Sequence, residues 1–187
     1  MNLRAVKLAV LSLLWLCLSF GASTTRAQPA ASEYQVKAAF LYNFIKFIEW
    51  PAGTFAADDS PITIGVVGEN SIGDDLVATV KGKTVNGRPL VIKSIGSAKD
   101  AGLKTCQMVF IAKSERKRVD EIMAALKGTI VLTVSESEGF LDAGGMINFV
   151  MEGNRVRFEI NDAAVKQSGL LISSKLLSLS KRREHSP

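Results

Sequence analysis

The chain carries a single histidine, His185, placed among its last residues. One terminal imidazole rules out a Ser-His-Asp triad, a Cys-His pair or a multi-histidine metal centre inside the fold. Cysteine is nearly as scarce, with only Cys17 and Cys106. Long apolar runs are missing too: the longest, Leu8 to Phe20, has 13 residues, whereas a bilayer-spanning helix needs about 20. That run follows Arg4 and Lys7 and precedes Thr25-Arg26-Ala27, the pattern of a cleaved secretory signal peptide over residues 1–27. Cys17 follows Trp15-Leu16 rather than small residues, so lipid attachment is not expected. Cleavage would leave Cys106 as the sole cysteine, unable to close an internal disulfide, so stability must come from packing.

Charge is equally uninformative about nucleic acid. The leader holds Arg4, Lys7 and Arg26 and no acidic residue, so the formal charge of +5 falls to +2 once it is removed. The remaining basic cluster, Lys181-Arg182-Arg183, opens a flexible tail over residues 181–187. Between leader and tail, residues 28–180 suffice for one domain of ordinary size. No membrane insertion is expected after cleavage.

What the chain does contain is a regular alternation of elements. Glu33 to Trp50 has a helical apolar pattern, with Ser32 as its N-cap and Pro51 as its stop. Gln35, Tyr42, Lys46 and Glu49 share a narrow polar face, while Val36, Ala38, Phe40, Leu41, Phe44, Ile45, Phe47 and Ile48 fill an arc of roughly 200°. Such a helix either is buried on two sides of its own domain or packs both on a core and on a second chain.

Strands follow at Ile62–Gly68, Leu90–Ile92, Met108–Ala112 and Ile130–Val134, with helical segments at Ser71–Val80 and Ser114–Lys127 and a Gly128 cap. Asn86-Gly87 marks a turn. Met146–Met151 and Val156–Ile160 form a hairpin about Glu152-Gly153-Asn154, and short helices are predicted at Asp162–Lys166 and Ser173–Leu179. The pattern predicts a layered α/β domain: a mostly parallel sheet with an antiparallel edge hairpin and helices on both faces.

Three motifs invite a chemical reading. Gly65, Gly68 and Gly73 match neither dinucleotide nor P-loop spacing, and Asp74-Asp75 opposes phosphate, so a strand-end turn is expected. Glu136, Glu138 and Asp142 lack the calcium-loop pattern and read as a solvated loop. Cys106, beside the apolar run Met108–Ile111, reads as a buried inert thiol. In Arg155–Ile160, strict alternation sends Val156, Phe158 and Ile160 to one face and Arg155, Arg157 and Glu159 to the other.

Several blocks then carry a resemblance. Tyr34 to Phe44 reads YQVKAAFLYNF and continues to Glu49-Trp50-Pro51; Gly144-Gly145-Met146-Ile147 and Phe158-Glu159-Ile160-Asn161 follow; Ser173 to Leu177 reads SSKLL. Together they span Tyr34 to about Leu179, and the chain resembles the YfiR family. The resemblance implies a periplasmic regulatory domain, commonly a homodimer. It would bind the periplasmic part of an inner-membrane diguanylate cyclase and repress it, lowering cyclic-di-GMP and biofilm formation. Such a repressor needs only tighter binding to the inactive state, with no enzymatic activity, cofactor or metal. Cys106 falls where the family commonly has a cysteine, but without an internal partner for it redox control is not expected.

On this reading Arg157 and Glu159 would give partner specificity on the outer strand, and Leu170 and Ile172 would supply apolar contact. Two other classes compete. A periplasmic small-ligand module would bind at the C-terminal ends of the parallel strands. A carboxylate-based hydrolase or transferase would need a constellation for which the sequence has no spacing.

Overall fold

The structure is a computed structural model, and it describes residues 31–69 and 72–181. The leader and residues 182–187 of the tail lie outside the described residues.

The first helix, α1 (Glu33–Phe47), begins with a reciprocal capping box: Ser32 Oγ accepts the Gln35 amide while the Gln35 side chain accepts the Ser32 amide. The helix ends three residues before the predicted Trp50. A residue preceding proline disfavours helical backbone, and Ile48–Glu49 instead form a short strand, β1, that pairs antiparallel with β9 (Leu171–Ile172).

The main sheet is built from β2 (Ile62–Val67), β3 (Thr84–Val85), β4 (Arg88–Ile95), β5 (Met108–Ile111), β6 (Leu132–Ser135), β7 (Ile147–Glu152) and β8 (Arg155–Ile160). Its spatial order is β3-β4-β2-β5-β6-β7-β8. The five strands from β4 to β7 run parallel, and β3 and β8 add antiparallel edges. The predicted α/β layering therefore holds. Asn86 and Gly87 both have positive φ, at 51° and 79°, as the tight turn joining β3 to β4 requires.

Helix α2 (Ile72–Val80) and α1 cover one face of the sheet, together with the small helices α4 (Asp162–Gln167) and α5 (Ser174–Leu179). The other face packs Val67, Ile95, Val109 and Ile111 beneath a 3-10 turn (Ala101–Thr105) and α3 (Val119–Leu126). The predicted helix Ser114–Lys127 is thus divided. Its first part is a second 3-10 turn, Lys113–Arg118, because the Ser114 hydroxyl donates to the Glu69 carbonyl and Glu115 is buried against Gly68.

Two glycines owe their identity to packing. Gly65 lies inside β2 rather than in a turn, and a Cβ there would stand 2.8 Å from Cys106 Sγ and 3.1 Å from Ile95 Cγ1. Gly68 does close the strand, at φ +92°. Cys106 is buried, donates to the Gly102 carbonyl at 3.2 Å, and burial pushes its thiol pKa up to about 11. The expected inert thiol is what the fold contains. Gly65→Ala should therefore cost about 1–3 kcal/mol in urea unfolding, and part of that should return in combination with Cys106→Ala. In the native protein Cys106 should resist a thiol reagent near neutral pH and react once the chain is unfolded.

Candidate partner-binding surface

Helix α1 is held to the β7–β8 hairpin by aromatic rings. The Phe44 ring lies 4.9 Å from Phe158, edge to face, and 5.7 Å from Phe149, while Phe40 lies 5.4 Å from Phe158. Such pairs contribute about 0.5–1.5 kcal/mol each beyond their buried area. The wide apolar arc is only partly used by this packing. Val36 and Phe40 stay half-buried and, with Met151, Val156, Arg155 and Arg157, line a groove of about 560 Å³ beside the outer strand. Met151 is 48% exposed.

An ion cluster fixes the first turns of the same helix beside these rings, with Lys37 Nζ 6.0 Å from the centre of the Phe149 ring. Lys37 Nζ bonds Glu33 one turn earlier and Glu136 at the end of β6. Glu136 also accepts the Lys113 amide at 3.3 Å. Burial alone pulls the Lys37 pKa down, but the hydrogen bonds and charges of Glu136 and Glu33 outweigh it and hold the value above that of a free lysine. The predicted solvated loop holds for Glu138 and Asp142, which are exposed, and is corrected for Glu136, whose side chain is only 8% exposed and ties strand to helix. Glu33 and Lys37, four residues apart, were the only local signal of the cluster.

The proposed partner-binding residues fall in two places. Arg157 and Glu159 point to the same side of β8, as their alternation predicts; Arg157 Nε lies 3.9 Å from Glu152, and Lys181 reaches Glu152 at 3.6 Å. The backbone of Lys181 donates to the Phe158 carbonyl at 2.8 Å, so the first tail residue lies along β8. Ile172, half-buried, pairs with Ile48. Leu170 requires correction: it is 1% exposed and belongs to the core, while its neighbour Leu171 is 64% exposed and carries the apolar surface of that segment.

At the crevice where the sequence predicts a small ligand, buried side chains pack among the described residues. Strand order reverses between β2 and β5, and there the buried residues Ala112 and Glu115, with the Ser114 to Glu69 bond, close the C-terminal ends. A cleft of about 560 Å³ lies instead at the opposite end, where β6 and β7 separate between α3 and α4, lined by Met123, Thr129, Thr133, Gly144, Asn161 and Gln167 among others. Among the described residues, no group of three or more His, Cys, Asp or Glu side chains could hold a metal, and no helix is long and apolar enough to cross a membrane.

These features define a doubly wound α/β domain whose outermost hairpin and first helix frame a half-apolar, half-charged surface. The chain belongs to the YfiR/HmsC-like family, whose pattern matches residues 34–181. Among solved structures it is similar to a conserved domain protein from Vibrio cholerae O1 biovar El Tor, with a TM-score of 0.59 and 11% identity. That match covers 82% of this chain and 60% of the other, and it concerns the fold alone. No curated protein matches the chain.

Lys37→Met should cost about 3–5 kcal/mol, because it leaves the buried Glu136 carboxylate uncompensated. Adding Glu136→Gln should recover most of the loss, a coupling that a double-mutant unfolding cycle measures. The raised Lys37 pKa also sets a pH dependence. Its contribution is complete below the free lysine value of about 10.4 and is lost as pH rises through the higher folded value. Lys37→Met should remove that alkaline component.

Proposed function

We propose that this protein is a periplasmic regulator that binds the periplasmic part of an inner-membrane diguanylate cyclase, acts as a homodimer, and holds cyclic-di-GMP and biofilm formation low. The observation that carries the reading is the match to the YfiR/HmsC-like family over residues 34–181, nearly all of the described domain. The surface between α1 and β8 supports it by offering apolar area beside fixed charges. Arg157 and Glu159 supply specificity, and Ile172 with Leu171 supplies apolar contact at the β1–β9 end. Repression follows if this surface binds the cyclase's inactive state more tightly, since a ligand shifts an equilibrium only by its differential affinity.

Deleting the gene in its host should raise cellular cyclic-di-GMP severalfold, and only a copy carrying residues 1–27 should restore the low level. An unchanged level while membrane-anchored cyclases are being produced overturns the reading.

A further inference from the structure

The outer strand β8 is an edge whose two halves differ. Asn161 donates its amide to the Met146 carbonyl, continuing the register in which Ile160 faces Ile147. In an antiparallel ladder, hydrogen-bonded and non-bonded pairs alternate. Arg155, Arg157 and Glu159 therefore bond to β7, while the backbones of Val156, Phe158 and Ile160 point away from the sheet. The Phe158 carbonyl agrees with this, because it accepts the Lys181 amide from outside. Lys181 thus occupies the second half of the edge, and Val156 turns its amide and carbonyl outward with no partner among the described residues.

Side chains at the free half differ by face. On the α1 side, Val156 stands with Val36, Phe40 and Met151 around the groove. Arg155 and Arg157 border the same groove from the strand, and alternation along β8 turns their exposed side chains to the opposite face. Arg155 has no carboxylate partner among the described residues, and Arg157 has only Glu152 at 3.9 Å, with both side chains about half exposed. An added strand places alternate side chains on these two faces. Its groove-side positions would be apolar and its opposite positions acidic.

We propose that the Arg155–Arg157 edge is a docking site for an extended segment of a partner protein in which apolar and acidic side chains alternate, joined to β8 by backbone hydrogen bonds. Charge complementarity selects this occupant over a second copy of the chain. With Lys181 on Phe158, the antiparallel register left to a second copy centres on Val156 and sets Arg155 opposite Arg157 twice, and like charges directly opposed are destabilising. This inference rests on the partner-binding reading above and specifies how that partner is gripped.

The test is a titration of the isotope-labelled full chain with a synthetic octapeptide alternating valine and glutamate, followed at the Val156 amide by NMR. A second octapeptide alternates valine and lysine. The acidic peptide should shift the Val156 amide and slow its hydrogen exchange, and the basic one should not. Arg155→Glu with Arg157→Glu should weaken acidic-peptide binding about tenfold or more. Val156→Pro removes the outward amide and spares the ladder to β7, which edge strands tolerate, so it should abolish binding with the fold intact by circular dichroism, whereas Val156→Ala, which keeps the amide, should retain it. If Val156→Pro does not fold, the charge-reversed chain and the peptide pair still decide. Equal binding of both peptides, or none by either, overturns the proposal. An unchanged cyclic-di-GMP level on gene deletion would remove the cyclase reading alone. Full cyclase affinity in folded Val156→Pro would remove the edge mode alone.

Discussion

Everything on the outer side of this molecule depends on how α1 is seated on the β7–β8 hairpin. A two-stranded ribbon at the end of a sheet has little to hold it. Here Phe149 and Phe158, opposite each other in register, close on Phe40 and Phe44 of the helix. These rings lie within 6.1 Å of one another where they meet, so the helix and the hairpin share one packed core. The groove between them is consequently preformed.

The charges act on a different link of the chain from sequence to function. Lys37 joins α1 to the C-terminal end of β6, far from the hairpin in sequence, so the helix is fixed along its length by rings and across the sheet by an ion cluster. A buried charge pair contributes less to net stability than to excluding other arrangements. Sliding α1 by one turn would break the Lys37–Glu136 pair, leaving Lys37 only Glu33 of its own helix and Glu136 only the Lys113 amide. Aromatic packing holds the helix, and the ion cluster sets its position.

Sequence periodicity carried most of the architecture because strands and helices here have clean periods. It failed where a contact depends on topology. Nothing local assigns Lys37 a partner in the core, because Glu136 lies 99 residues away and reaches it only through the placement of β6. The strand β9 is two residues long, too short for alternation to show which side is inward, so the sequence alone does not distinguish the buried Leu170 from its exposed neighbour Leu171. Gly65 looks like a turn glycine in the sequence, since nothing local announces that a thiol will occupy the space its Cβ would need. The alternation of Arg155 to Ile160, by contrast, was legible because a strand with one buried face must show it.

The single backbone bond from Lys181 to Phe158 bears on how long any complex could last. By sealing part of β8 it limits the free edge to about one repeat of strand pairing, and it blocks the open-ended stacking through which bare sheet edges grow into fibres. A grip that short gives few hydrogen bonds and therefore a rapid dissociation rate, with affinity supplied mostly by the groove and the arginines. In the proposed complex, such an edge would favour exchange of the partner over permanent pairing.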